Sequence, residues 1–506
     1  MLALLTLGIG LGSSKRLSYH EAIVAQGARE MLCPGGDWLV PSIGGTPWLE
    51  KPPLAHWLVA IAGVIRGGID ETAARIPSAL AAVLLAIAVG LLGARRFGAR
   101  VGLFAAAIQL TTVWLVIRGR LADADMLLAF FVTLTLAAFD RLRCEGTVSR
   151  STAWWFVVAL GLTSLVKGIG FGAGIAGIVI LGVLVWDRDL EILRRLFRPA
   201  GVAVCAGVSL AWPLLVAARH PEAVEIWIGH VRDRLTTGGG VYAGESLGSF
   251  LLSPLANTLP WTPLAVWGAV NSVSGARAER RGPDRLLCTW AFLPLCLLAF
   301  SSSRNEHYLI HALPPWSIWG ALGLIRLGER LQTRRSFSSR VLRGVAIGGI
   351  GLVGVLYAVA HLEIVPRLDA RGREWSWYLE ASAQLRPAEE VILLYDWGRA
   401  EAWDRLPYAT PFGPVPHDLA VRLFYLDRPA RWFNGVDAFR DCAAGKQPAA
   451  VIARSRDLDA IRGSGRVTLV SLGPSERADR RFGLYRFWPR EDELAGTDET
   501  TETRHE

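Results

Sequence analysis

The sequence predicts an all-α polytopic membrane protein with about 11 transmembrane helices over residues 1–362, followed by a small soluble α/β domain over 363–490. Three observations carry this. The 506 residues are 52% hydrophobic and only 20% charged, with mean hydropathy +0.32, whereas soluble chains of this size carry more charge. Many windows approach the ~20 apolar residues that cross a bilayer. The arginines crowd into alternate loops between these windows, as the positive-inside rule requires.

The elements follow in chain order. Residues 2–13 are apolar but short for a crossing, and they lack the basic flank and small-residue cleavage site of a signal peptide; they read as a truncated first transmembrane helix. A long polar segment, 14–72, contains Tyr19–Leu32 and Leu54–Ile65, which read as amphipathic helices lying at the interface. Spans are expected near 73–93, 99–117, 126–139, 152–166, 169–186, 200–217, 247–272, 286–301, 307–325 and 341–361. The 247–272 run is long enough to hold a kink at Pro260 or Pro263. Alternation puts loops 94–98, 140–151, 187–199, 273–285 and 326–340 on one side. All are arginine-rich, so that side is cytoplasmic. The segments 14–72, 118–125, 167–168, 218–246, 302–306 and everything past 361 fall on the outer face.

After Glu363 the pattern changes. Tyr378–Arg386 reads as a helix, and VILLYDW (391–397), LAVRLFYL (419–426), AAVIARS (449–455), VTLVSL (467–472) and FGLYRFW (482–488) read as strands. Residues 491–506 are acidic, polar and expected to be disordered. The six cysteines show no CxxC spacing and no paired framework, and Cys205, Cys288 and Cys296 read as small core residues. The net charge of +9 follows membrane orientation and does not imply nucleic acid.

Chemistry is expected where ionisable groups gather at one depth, because apolar spans need none. The outer face holds His20, Glu21, Glu30, Asp37, Glu50 and Lys51 in its first segment, then Asp123 and Asp125 in RLADADMLL. Lys167 follows in SLVKGIG, His230, Arg232, Asp233 and Arg234 in IGHVRDRL, and Arg304, Glu306, His307, Tyr308 and His311 in SSSRNEHYLIH. Lysine is rare here, four against fifty arginines, so Lys51 and Lys167 stand out. A lysine is a compact charge with three donors, suited to a phosphate oxygen. Carboxylates can act as general base and cations can hold an anionic leaving group, so the set points to a lipid phosphate whose headgroup reacts at the outer face. Each group also has a plain structural alternative. Lys51 can be a solvated loop lysine, Asp125 and Asp123 helix caps, and Lys167 a snorkelling lysine. His230 and Arg234 can lie on a solvated helix face, and His307 and Tyr308 in an interface belt. Gly238–Gly240 lacks the strand–helix context of a phosphate loop and reads as a flexible loop.

The segments HEAIVAQGAREML, GDWLVPSIGGTPWLEKPPL and AARIPSALAAVLL, followed by ADADMLLAFF, TSLVKGIG, IGHVRDRL, LPWTPL and SSSRNEHYLIHALP, carry a family resemblance over roughly residues 15–320. Together they resemble the bacterial aminoarabinose transferases of lipid A, within the protein-mannosyltransferase-like membrane glycosyltransferases of the GT-C class. The resemblance implies an inner-membrane enzyme with a periplasmic site. Its donor would be a polyprenyl-phosphate sugar, such as 4-amino-4-deoxy-arabinose, and its acceptor a lipid A-like glycolipid or a protein. It places Glu50 and Lys51 on the family's Glu-Lys pair, with the lysine at the donor phosphate. Lys167, His230, Arg234 and Tyr308 match other polar positions around the donor, and Asp125 matches the acidic residue of the second outer loop. The family's Asp-Glu at the start of the first amphipathic helix is here His20–Glu21, which leaves His20, Glu21 and Asp125 as alternative bases. No cofactor is required; Glu50 could take a divalent cation. The rival readings are a non-catalytic polyprenyl-phosphate binder and a lipid flippase or transporter. The latter expects polar groups at mid-membrane and paired broken helices.

Overall fold

The computed structural model describes residues 1–144, 149–189, 191–196, 198–236, 244–279, 281–301, 304–335, 337–369, 372–386, 389–395, 417–434, 439, 448–463, 465–473 and 482–489. The expected glycine loop at 238–240 and the acidic tail at 491–506 lie outside these residues. The chain forms two compact units, one of residues 1–41 and 47–368 and one of 42–46 and 369–506.

The first unit is helical. Its elements are α1 (Tyr19–Leu32), α2 (Leu54–Arg66), α3 (Glu71–Phe97), α4 (Ala99–Gln109), α5 (Val113–Arg118), α6 (Asp125–Cys144), α7 (Arg150–Ile169), α8 (Ile175–Asp187), α9 (Ile192–Leu196), α10 (Pro199–Arg219), α11 (Glu222–Thr236), α12 (Leu247–Asn257), α13 (Thr262–Ala278), α14 (Pro283–Ala299), α15 (Pro314–Arg335), α16 (Ser339–Val359) and α17 (Val365–Leu368). Between α1 and α2 lie the two-residue strands β1 (Ser42–Ile43) and β2 (Thr46–Pro47).

Local chemistry sets several boundaries. Asp70 caps α3, its carboxylate accepting from the Ala73 N–H at 2.6 Å, which satisfies one of the free donors of the first turn. Gly67 closes α2 at φ 80°, a left-handed position open to glycine. The α3–α4 and α13–α15 pairs pack on small residues. A Cβ on Gly102 would lie 2.4 Å from the Gly90 carbonyl oxygen, and one on Gly268 2.1 Å from that of Trp319. Such close backbone approach replaces the hydrophobic drive that lipid does not supply between helices.

Among the described residues, four helical stretches are long and apolar enough to cross a bilayer: Glu71–Phe97, Arg150–Asp187, Pro199–Arg219 and Ser339–Leu368. The second has 38 residues but is not one rod. Lys167 (φ −142°) and Gly168 (φ 80°) leave helical geometry, and the chain doubles back there. A Cβ on Gly172 would lie 2.4 Å from the Thr163 backbone, which a straight helix would hold ~13 Å away at 1.5 Å per residue. The pair α7 and α8 is therefore a helical hairpin with Lys167 at its tip, as the outer turn at 167–168 anticipates. The 247–272 run is not a single kinked span. It is broken between α12 and α13 by residues 258–261, where Pro260 interrupts helical hydrogen bonding. Of the cysteines expected in the core, Cys288 is buried, Cys205 half-buried and Cys296 exposed.

The second unit holds a five-stranded mixed sheet in the order β4-β3-β5-β7-β6, with β3 (Val391–Tyr395), β4 (Arg431–Asn434), β5 (Ala449–Arg454), β6 (Gly465–Leu472) and β7 (Phe482–Pro489). β3 runs parallel to β4 and β5, and β7 runs antiparallel to β5 and β6. Ile392, Leu394, Phe439, Val451, Tyr485 and Phe487 form its core. Two helices, α18 (Gly372–Ala383) and α19 (His417–Leu426), pack together. α19 corrects the strand expected at 419–426. Every residue from Leu419 to Leu426 is buried, so the octet carries no alternation, and its Leu, Ala and Arg favour helix. The strand that was missed, RWFN at 431–434, is the edge strand β4.

Candidate active site

Two carboxylates and two cations meet at the start of α6. Asp125 is its first residue, and the Asp123 carboxylate accepts from the Asp125 N–H at 3.0 Å. Arg118, the last residue of α5, pairs with Asp123 at 2.8 Å and also with the Asp125 carboxylate. Lys167, at the hairpin tip, places its Nζ 2.5 Å from the other Asp125 oxygen. Asp125 is thus more than a helix cap. The cluster sets two carboxylates against two cations, the pairing that buried ionisable groups require. Burial and the Asp125 charge push Asp123 up to about 7, against the pull of Arg118. Two like charges this close raise the cost of ionising both. Lys167 also faces the rings of Tyr308 and Phe171, at 5.3 and 5.7 Å. Tyr308 and His307 stand on a 3-10 turn, Glu306–Ala312, with their rings 4.4 Å apart.

Lys167 is also a wall of a cavity of 580 Å³, within the usual range of ligand pockets. Glu50, Lys51 and Lys167 supply its charged lining, and the rest is mostly apolar, including Leu165, Phe171, Ile178, Trp212, Trp227, Leu297 and Phe300. Phe300 is 89% exposed, and Ile178 and Leu297 are exposed too, so the apolar wall runs out to the lipid-facing surface. Among the described residues, the Lys51 ammonium has no hydrogen-bond or ion-pair partner.

The remaining expected residues divide. Glu21 is fully buried in α1. One of its oxygens accepts from Arg75 Nε at 2.8 Å and from the Ala122 N–H at 3.2 Å. The other accepts from the Ser18 N–H and hydroxyl, both at 2.9 Å. Both oxygens are therefore engaged in a capping box and a buried ion pair, a geometry that holds structure and leaves no oxygen for an acceptor proton. Through Ala122, and through Ser78 Oγ donating to the Asp123 carbonyl at 2.9 Å, this joint fixes the segment that carries Asp123. His20 is exposed on α1. The backbone of α11 carries His230 and Arg234, whose side chains lie outside the described residues. No three His, Cys, Asp or Glu groups converge on a common point among the described residues.

Arg118 was not among the expected residues. Its signal was present: two arginines, 118 and 120, in a short outer-face segment where arginine is otherwise scarce. Arg75 was missed likewise, although one arginine early in an apolar span demands a partner. Its guanidinium meets Glu21 and the carbonyls of Leu11, Lys15 and Arg16.

Known proteins share this architecture. The dolichyl-phosphate-mannose-protein mannosyltransferase family matches residues 50–214. An undecaprenyl phosphate-α-4-amino-4-deoxy-L-arabinose arabinosyl transferase of Pseudomonas fluorescens is 28% identical over 366 residues, covering 70% of this chain and 61% of the relative. The chain is similar to the aminoarabinose transferases. A Pseudomonas aeruginosa arabinosyl transferase is 27% identical over 72% of this chain and 65% of its own length. The chain thus spans less than two thirds of the length of these curated relatives. Among solved structures, ArnT from Cupriavidus metallidurans bound to undecaprenyl phosphate superposes with a TM-score of 0.74 at 21% identity, covering 96% of each chain. The Archaeoglobus fulgidus oligosaccharyltransferase follows with a TM-score of 0.55 at 14% identity, covering 91% of this chain and 70% of that one. The GT-C fold expected from the aminoarabinose transferase resemblance is the fold these structures share.

Proposed function

We propose that this chain is an inner-membrane glycosyltransferase that moves a sugar from a polyprenyl-phosphate donor to a lipid A-like glycolipid or another periplasmic acceptor. About eleven crossings would put the site on the periplasmic face. The observation that carries this is the Lys51 ammonium, without a hydrogen-bond or ion-pair partner among the described residues, in an apolar, lipid-facing cavity whose second lysine is bonded to Asp125. The apolar wall suits a polyprenyl chain, and the two lysines of its lining suit the donor phosphate. The fold of the aminoarabinose transferases supports the same reading, and their names supply the sugar, 4-amino-4-deoxy-arabinose.

In the proposed reaction an acceptor oxygen attacks the anomeric carbon of the donor. The bond from that carbon to the phosphate oxygen breaks, and its electron pair stays on the phosphate, which gains one negative charge. Lys51 offsets that charge, with Arg234 and His230 available from α11. Asp125 takes the acceptor proton. Lys167 links the two events, since a donor phosphate competes with Asp125 for the same ammonium, and its arrival loosens the grip on the base. Tyr308 holds Lys167 by its ring face, and exposed His20 would orient the acceptor. Glu50 lines the cavity beside Lys51.

The test is incubation of purified full-length protein with a polyprenyl-phosphate-linked aminoarabinose and lipid A. Release of free polyprenyl phosphate with sugar on the acceptor is expected. Donor binding without release would make the chain a non-catalytic lipid-phosphate binder.

A further inference from the structure

The loop that presents Lys51 has little regular structure to hold it. Pro52 and Pro53 follow it and carry no backbone donor. Among the described residues Lys51 has no hydrogen-bond or ion-pair partner to fix its side chain, so the position of its ammonium depends on the backbone below. That backbone is held by indoles. Trp57 of α2 donates its Nε1–H to the Trp38 carbonyl at 2.7 Å. Trp212 of α10 donates to the Leu39 carbonyl at 2.8 Å, and Trp227 of α11 to the Leu49 carbonyl at 2.8 Å. The last bond falls on the peptide that joins Leu49 to Glu50, one residue short of Lys51. The rings of Trp212 and Trp227 lie 5.5 Å apart, and both line the cavity that Lys51 faces.

We propose that Trp227 is a positioning residue for the reaction: its indole N–H holds the Leu49 carbonyl and thereby sets the Lys51 ammonium over the cavity. Trp212 supports its ring and pins the other arm of the loop. One pair of indoles thus serves as both cavity wall and loop anchor, and movement of α10 or α11 is transmitted to the lysine. The proposal rests on the reading of the cavity as a lipid-phosphate site.

The test measures binding of undecaprenyl monophosphate to full-length protein. Two changes remove the donor and keep a ring: Trp227→Phe, and Trp227→benzothienylalanine, which keeps the indole shape if Phe destabilises the fold. Each is made with Lys51 present and in Lys51→Met protein. With Lys51 present, affinity should fall about five- to tenfold, the size of one lost hydrogen bond. In Lys51→Met protein the same change should alter affinity by less than about twofold, because the group being positioned is gone. For sugar transfer, the donor KM should rise and kcat should fall too, because the ammonium being positioned also offsets charge in the transition state. An equal loss in both backgrounds would show that Trp227 acts on the fold at large, and an unchanged affinity with Lys51 present would show that its N–H positions nothing; either overturns the proposal. Failure of unaltered protein to bind the lipid would overturn the cavity reading and this proposal with it.

Discussion

The two ends of α6 carry two charge clusters built from the same kinds of residue. At the C-terminal end, Arg143 pairs with Asp187 at 2.6 Å and with Asp140 at 3.1 Å, and donates to the Gly282 carbonyl at 3.0 Å. Arg285 meets Asp187 and the carbonyls of Trp186 and Ala276, and Arg96 reaches Asp140. The Asp140, Arg143 and Asp187 side chains are fully buried. At the N-terminal end, Arg118, Asp123, Asp125 and Lys167 are also paired. There, however, one member lines a cavity, and that cavity holds a second ammonium with no hydrogen-bond or ion-pair partner among the described residues. A network whose charges all end on protein works as a joint between helices. A network that shares a lysine with an open apolar cavity is poised to exchange a protein anion for a ligand anion. Charge and burial alone do not separate the two; the cavity does.

The largest effect should come from Asp125→Asn. Loss of a positioned general base costs about 10²- to 10⁴-fold, so sugar transfer should fall by that much in folded protein. Glu21→Gln should instead lower folded yield, with folded protein still transferring sugar. Active Asp125→Asn and dead Glu21→Gln would place the base on α1.

At the other end of α6, Arg143→Met should cost about 3–5 kcal/mol of stability, the penalty for leaving buried charge unpaired, with turnover per folded molecule close to normal. Denaturant unfolding and specific activity separate these. Normal stability with lost turnover would erase the distinction between the two ends.

A smaller effect is expected from pH. Asp123, pushed up to about 7, is protonated below that pH and ionised above it. Ionisation adds a negative charge beside the base and strengthens it, so transfer should rise as the pH passes through neutrality. The Asp123→Asn protein should lose that limb of the rate profile. A limb that survives in Asp123→Asn belongs to another group.

Much of this organisation was legible in the sequence. The sites of α1 and α2 followed from their amphipathic periods, and the hairpin tip from a lysine and glycine breaking a long apolar run. The Glu-Lys-Pro-Pro segment stood out because lysine is so rare. The rest was obscured by physics that sequence reading averages over. Arg143, Arg285 and Arg96 count toward orientation as loop charges, yet they are buried in ion pairs that join helix ends. Arg118 reads in the sequence as one more loop charge, although its carboxylate partners Asp123 and Asp125 lie only a short way along the chain. The octet at 419–426 is buried all round, so neither period shows, and only its lack of β-branched residues, Val421 apart, marks it as helix. The indole anchors on the Lys51 loop come from α10 and α11, and no local pattern announces them.

The difference between the two ends of α6 is tested most directly by single-turnover transfer with Lys51→Ala protein and a polyprenyl-phosphate-linked sugar. Removing a donor that stabilises developing charge lowers the chemical step by about 10²- to 10³-fold. Lys51→Ala should show that loss with an unchanged melting temperature, because among the described residues the ammonium has no hydrogen-bond or ion-pair partner to give up, and Lys51→Arg should recover only part of it, since guanidinium geometry differs. Near-normal turnover in Lys51→Ala would contradict the account, since the unpaired ammonium would then be an ordinary surface lysine.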